Sequence, residues 1–284
     1  MTKWAIGIVV TVLILAGIIY AVYENNDYDF SDAEKSYEIV EEWELPGELR
    51  EVSGMEWAGE DKIACIQDED GIIFIYDLKA SRIVKQYRFD AGGDYEAITL
   101  LEDNYWVAES NGRLLRVEDI NGPEGNSEEV KLKFEYRNNI EGIAASDAGD
   151  LWISVKDRNL DNQGDYKGIY SFNPETGILD MDPVLKVKYN DPEFDVFRTS
   201  NPRKLIRPSD LCFEPSTGDV HILDAEFQKI LVVNRNSGKI KKIHLLDPAE
   251  FPQPEGICFS PSGRLFVSNE GKFGAPTIKE IKLQ

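Results

Sequence analysis

Beyond residue 36 the chain alternates apolar and polar positions with a period of two, and no stretch sustains the 3.6-residue period of a helix. Five segments recur: Glu-Val-Ser-Gly-Met-Glu-Trp at 51–57, Asp-Tyr-Glu-Ala-Ile-Thr-Leu at 94–100, Asn-Ile-Glu-Gly-Ile-Ala-Ala at 139–145, Arg-Pro-Ser-Asp-Leu-Cys-Phe at 207–213 and Gln-Pro-Glu-Gly-Ile-Cys-Phe at 253–259. With Ser53, Glu96, Glu141, Ser209 and Glu255 taken as equivalent, their spacings are 43, 45, 68 and 46 residues. A period in the forties that carries only strand signals predicts a β-propeller with one four-stranded blade per period.

The interior of each period agrees. A polar turn such as Pro215-Ser-Thr-Gly218 or Pro261-Ser-Gly263 is followed by an apolar strand, as at 62–67, 105–108, 151–155, 220–223 and 265–268. Third strands are predicted at 72–76 and 229–234, and alternating fourth strands at 82–89 and 239–245. The third period is longer than the rest, but its excess falls in two irregular polar stretches, 157–166 and 189–205. Neither supplies four strands, so five blades are favoured and six are the alternative. The last period has one strand too few, while an unassigned alternating strand, 37–45, precedes the first. Docked as the outer strand of the last blade, it closes the ring and leaves no long unpaired edge.

The N-terminus departs from this pattern. Residues 4–23 are an apolar run in which Thr11 is the one clearly polar side chain. At 1.5 Å per residue such a run spans about 30 Å, the thickness of a bilayer core. Lys3 precedes it, and Glu24, Asp27, Asp29, Asp32 and Glu34 follow it. Positive-inside asymmetry then predicts a single-pass anchor in the cell's inner membrane, with the rest of the chain outside the cytoplasm. A cleaved signal peptide is the rival reading, although the run is long and its end lacks small residues. The predicted organisation is an anchor at 1–23, an acidic stalk at 24–36 and a propeller at 37–284.

Composition narrows the partners. Fifty-two acidic against 31 basic side chains give a net charge of -21, which repels nucleic acid. Cys65, Cys212 and Cys258 lie in apolar strand contexts, fit no zinc spacing and are odd in number, so core thiols are expected.

In a propeller the start of each innermost strand and the end of the second strand meet on one face of the channel. The first position holds Ser53, Glu96, Glu141, Ser209 (with Asp210 beside it) and Glu255. The second holds Asp68, Glu109, Lys156 or Asp157, Asp224, and Asn269 or Glu270. Converging carboxylates repel one another, and a hard cation bound by oxygens, calcium or magnesium, would relieve the conflict. A solvated acidic rim is the simpler reading. The third period's long segments leave from the same face, as a partial lid or a partner-binding edge.

The pattern Gly-Asp-Tyr-Glu (93–96), Asn-Asn-Ile-Glu-Gly (138–142), Arg-Pro-Ser-Asp (207–210), Pro-Gln-Pro-Glu-Gly (252–256) and Ser-Asn-Glu (268–270) resembles the SdiA-regulated, YjiK-like family. The resemblance covers about residues 37–284. It implies a membrane-associated, NHL-related five-bladed propeller with a calcium site, carried over to Glu96, Glu141, Asp210 and Glu255, with Asn139 and Asp224 as further candidates. Two functions follow as expectations. One is a calcium-binding extracytoplasmic module for an unidentified protein or small-molecule ligand. The other is a calcium-dependent lactonase or esterase, for which the chain offers no Gly-x-Ser-x-Gly elbow and two histidines, His221 and His244, both in strand contexts.

Overall fold

The computed structural model describes residues 35–284 apart from Gln163, Arg198, Ser200 and Phe273. The described chain is an all-β, five-bladed propeller. Its helical content is three short 3-10 turns, Gly47–Leu49, Pro192–Phe194 and Pro202–Lys204. No helix among the described residues is long and apolar enough to cross a membrane. The expected anchor at 1–23 and the stalk up to residue 34 lie outside the described residues.

Blade 1 runs outward as β2 (Val52–Trp57), β3 (Lys62–Gln67), β4 (Asp70–Asp77) and β5 (Arg82–Gly92). Blade 2 repeats the order with β6 (Tyr95–Leu101), β7 (Asn104–Glu109), β8 (Arg113–Val117) and β9 (Ser127–Lys131). Blade 3 has β10 (Ile140–Ala145), β11 (Leu151–Val155) and β12 (Tyr166–Asn173), and its outer strand is split. β13 (Ile178–Leu179) pairs with one end of β12 and β14 (Leu185–Lys188) with the other. The extra length of the third period thus adds no further blade. Blade 4 comprises β15 (Asp210–Phe213), β16 (Val220–Asp224), β17 (Lys229–Val233) and β18 (Ile240–Leu245).

Blade 5 is built from both ends of the domain: β19 (Pro254–Phe259), β20 (Leu265–Asn269), β21 (Thr277–Leu283) and, outermost, β1 (Tyr37–Glu44), antiparallel to β21. β1 also ties blade 5 to both neighbours. Trp43 Nε1 donates to the Leu78 carbonyl of blade 1 at 2.9 Å. At the other end the Tyr37 hydroxyl donates to Glu250, and its ring meets Phe251 edge-on at 5.5 Å.

The five inner strands touch in a closed ring, β19 against β2 completing it. The apolar core is divided accordingly, with a buried cluster at each blade–blade interface. Met55, Phe74, Cys258 and Phe266 join blades 5 and 1; Ile66, Ile98 and Val107 join blades 1 and 2. Phe194, Phe197, Leu205 and Ile206 of the 189–206 segment pack into the blade 3–4 cluster, so this stretch is a wall of the domain. All three cysteines are free and buried, as their strand contexts imply.

If β1 is the clasp, Trp43→Ala should cost about 3–5 kcal/mol in denaturant unfolding. Val40, bulged out of the β1–β21 ladder and 55% exposed, should tolerate alanine within about 0.5 kcal/mol. Removing residues 37–45 should lower the melting temperature sharply and removing residues 1–30 should not. Equal effects from the two truncations would refute the clasp.

Candidate functional site

The inner strands carry a repeated irregularity where they begin. In β6 Tyr95 pairs with Glu109 and Ala97 with Ala108, which leaves Glu96 outside the ladder. Between Val52 and Gly54 of β2, Ser53 is displaced in the same way, and between Ile140 and Gly142 of β10 the displaced residue is Glu141. In β19 Glu255 and Gly256 fall within the corresponding shift. A β-bulge re-aims the extra side chain, so four blades turn their first-position residue at one mouth of the channel. The structure brings together Glu96, Glu141 and Glu255, whose charges act on one another and on Lys156, the residue after β11.

Lys156 is the counter-charge. Its Nζ lies 3.0 Å from Glu141 Oε2, while Asn139 Nδ2 donates to Glu141 Oε1 at 2.6 Å. Burial favours a neutral Lys156, but Glu141, Glu255 and Glu96 outweigh it and hold the ammonium above its ordinary range. Beneath it sits Lys167, 1% exposed, whose Nζ donates to the carbonyls of Lys156 at 2.7 Å and Asp157 at 2.9 Å. Burial, aided by Arg207, brings Lys167 down to about 7.

One ammonium does not satisfy three carboxylates. Burial, then the charges of Glu141 and Asp94, push Glu96 up to about 9, and no hydrogen bond or ion pair among the described residues reaches its carboxylate. Burial lifts Glu255 to about 7, although Lys156 and the Gln253 Nε2 donor, 3.0 Å away, oppose it. Burial also raises Glu141. The acidic field continues around the mouth. Gln253 donates to Glu270 as well. Asp68 reaches about 6 through burial and the charges of Glu51 and Glu69. Asp68 Oδ1 and Asn269 Oδ1, at the ends of the second strands of blades 1 and 5, are buried acceptors without a partner in the structure.

The other candidates are held elsewhere. Asp210, 2% exposed, accepts from its neighbour Leu211 N and across the blade boundary from Ile257 N, both at 2.8 Å. Asp224 is fully buried against Lys229 Nζ at 2.6 Å and accepts from Arg207 N and Phe227 N. Glu109 pairs with Arg113 at 2.8 Å. His221 stacks edge-on against Phe259 and His244 Nδ1 lies 2.9 Å from Ser36 Oγ, so neither belongs to this mouth.

Calcium can be tested against these donors. Glu96, Glu141, Glu255 and Asn139 offer the oxygens that a hard cation takes. Their arrangement is not a finished cage. Among the described residues no three His, Cys, Asp or Glu side chains come together in a metal-holding group, and Lys156 already occupies Glu141. The mouth has the donor chemistry for calcium, with a lysine in competition for it.

Sequence comparison agrees with the repeat. The model of the SdiA-regulated family matches residues 29–273. The chain belongs to this family. No curated protein matches it. Among solved structures, glutaminyl cyclase from Myxococcus xanthus is similar at 14% identity and a TM-score of 0.58, over 88% of this chain and 97% of that one. The PQQ-bound aldose sugar dehydrogenase from Streptomyces coelicolor is similar at 12% identity and a TM-score of 0.53, over 89% and 99%. The WD40 propeller domain of Doa1 follows at 8% identity and a TM-score of 0.51, over 87% and 97%. At these identities the likeness is one of fold alone.

Lys167 was hidden from sequence reasoning. Its one signal is a lysine in the apolar strand Tyr-Lys-Gly-Ile-Tyr at 166–170.

A pH dependence follows. Glu96 is raised from the ordinary carboxylate range to about 9, so folding favours its protonated form. Its contribution is present at low pH and lost as pH rises to about 9. Lys167 acts in the opposite sense above pH 7, so the comparison with Glu96→Gln isolates the carboxyl. Between pH 5 and 9 the variant should gain on the wild type by about 1 kcal/mol per pH unit, and by no more than about 1.4. A difference that does not change with pH would contradict the assignment.

Proposed function

We propose that the protein is a membrane-anchored, extracytoplasmic binding module whose carboxylate mouth takes up a cation, with calcium as the divalent ion of choice. The observation that carries the reading is that Glu96, Glu141 and Glu255, from three blades, share the ammonium of Lys156 while, among the described residues, no hydrogen bond or ion pair reaches the Glu96 carboxylate. The unpartnered acceptors Asp68 Oδ1 and Asn269 Oδ1 support it. Calcium takes six to eight oxygens, so water or backbone carbonyls would complete what these side chains begin. Lys156 and calcium compete for the same charge, which makes occupancy dependent on calcium concentration and on pH. The anchor is the apolar run at 4–23, and its flanking charges put the propeller outside the cytoplasm.

Calorimetry of chelator-treated protein tests the cation. Calcium should bind, and protons should be released because the ion returns Glu96 and Glu255 to their ionised forms. The released protons appear as a dependence of the binding heat on the buffer's ionisation enthalpy. At a hundredfold excess over the dissociation constant the native state should gain about 2.7 kcal/mol. Glu141→Gln should weaken binding and Lys156→Met should strengthen it. No calcium heat in the wild type, or a Lys156→Met variant that binds less tightly, would defeat the proposal.

Topology is tested separately. Protease added outside intact inner membrane should digest the propeller, whereas full-length protein recovered from the soluble cytoplasm would overturn the anchor.

A further inference from the structure

The opposite mouth of the channel has a different chemistry. There the inner strands end, and Trp57, Leu100, Ala145, Leu211, Phe213 and Phe259 are among the residues around a cavity of about 310 Å³. This lies at the lower end of the range for small-molecule sites, about 300–1,000 Å³, and suits one ring with a short chain. No lysine, arginine or histidine is among the described residues that line it. One carboxylate is, Glu56 of β2.

Glu56 interrupts a column of uncharged residues. Three positions beyond the first-position residue, the other blades carry Thr99, Ala144, Cys212 and Cys258. The Glu56 carboxylate is held in place by donors: Trp57 N reaches Oε1 at 2.7 Å and Thr99 Oγ1 reaches Oε2 at 2.8 Å. Thr99 Oγ1 in turn accepts from Ala145 N at 3.1 Å, which fixes the hydroxyl's direction. These donors orient the group, and among the described residues no basic side chain pairs with its charge. The titratable groups that feel Glu56 are Asp210 and Cys212 of β15, Cys258 of β19 and Tyr105 of β7, none of them basic. Burial is the largest influence on Glu56 itself and brings it up to about 7.

We infer that this cavity is a binding site for a small apolar amine, its ring or alkyl body against the apolar ends of the inner strands and its ammonium paired with Glu56. The ligand supplies what the protein omits: a cation that returns the charge of a half-buried carboxylate and an apolar body that packs against the side chains at the strand ends. The inference is independent of calcium at the other mouth.

Calorimetry on the full chain with phenethylamine, and with the uncharged 2-phenylethanol as its isostere, tests it. The amine should bind about tenfold or more tightly than the alcohol, the scale of one desolvated charge pair. It should gain about tenfold between pH 6 and pH 8, as Glu56 ionises while the amine stays protonated. Glu56→Gln keeps one acceptor oxygen, for Trp57 N, and offers an amide N–H to Thr99 Oγ1, but removes the charge, and should abolish the preference for the amine. Ala145→Phe fills the cavity and should abolish binding of both probes, and Glu141→Gln, at the far mouth, should change neither. No binding of either probe, equal affinity for amine and alcohol, or an amine preference that survives in Glu56→Gln would each overturn the proposal.

Discussion

Five inner strands crowd around one axis, and where neighbouring strands touch there is no room for an ordinary side chain. A Cβ added to Gly54 would stand 3.0 Å from Ala97 Cα, one on Gly142 2.9 Å from Asp210 Cα, and one on Gly256 3.1 Å from Met55 N. The preceding residue cannot share that contact. It is pushed out of the ladder as a bulge and turned to the channel mouth, so in blades 3 and 5 the glycine that lets the blades meet also aims the glutamate before it, and in blade 2 Ala97 stands in the glycine's place. Blade 4 departs from the rule. Its residue at the contact is Asp210, which has a side chain to place and uses it to lace β15 to β19 through Ile257 N.

The charge distribution follows from that geometry. Three bulges deliver glutamates to one place, and the fold answers with the ammonium of Lys156, whose carbonyl accepts from a Lys167 that burial brings down to about 7, and with the charge of Arg207 acting on Glu141. Carboxylates held together with too little positive charge resist ionisation. A mouth in this condition favours a proton, and under the proposed function a cation would compete with that proton. The far mouth repeats the logic in miniature, with one oriented carboxylate among the apolar side chains at the strand ends.

Much of this was legible along the chain. The recurrence of Glu-Gly or Glu-Ala before an apolar strand fixes the blades and places Glu96, Glu141 and Glu255, because the bulge ties the mouth residue to the small residue after it. The closing strand was legible because a lone alternating segment needs a partner and the last blade lacked an edge. Besides Lys167, three features were not. Asp224 looked like a mouth residue by position, but its partner, Lys229, arrives across the β16–β17 turn from the register partner of that same position. Asp210 stands one residue past the mouth position, where backbone amides and not solvent await a carboxylate. Glu56 looked like the polar half of an alternating strand. Comparison down the column, with Thr99, Ala144, Cys212 and Cys258, is what marks it as unusual, and its cavity exists only once the five strand ends are assembled.

The central claim is that the mouth holds more carboxylate than its counter-charge can satisfy, and carbon-detected NMR of the glutamate side-chain carboxyl groups measures this directly. In metal-free protein one resonance, lost in Glu96→Gln, should titrate near 9, far above the ordinary range. With calcium added the same resonance should stay ionised down to neutral pH or below. A Glu96 carboxyl that titrates between about 4 and 5 in the metal-free protein would contradict the account.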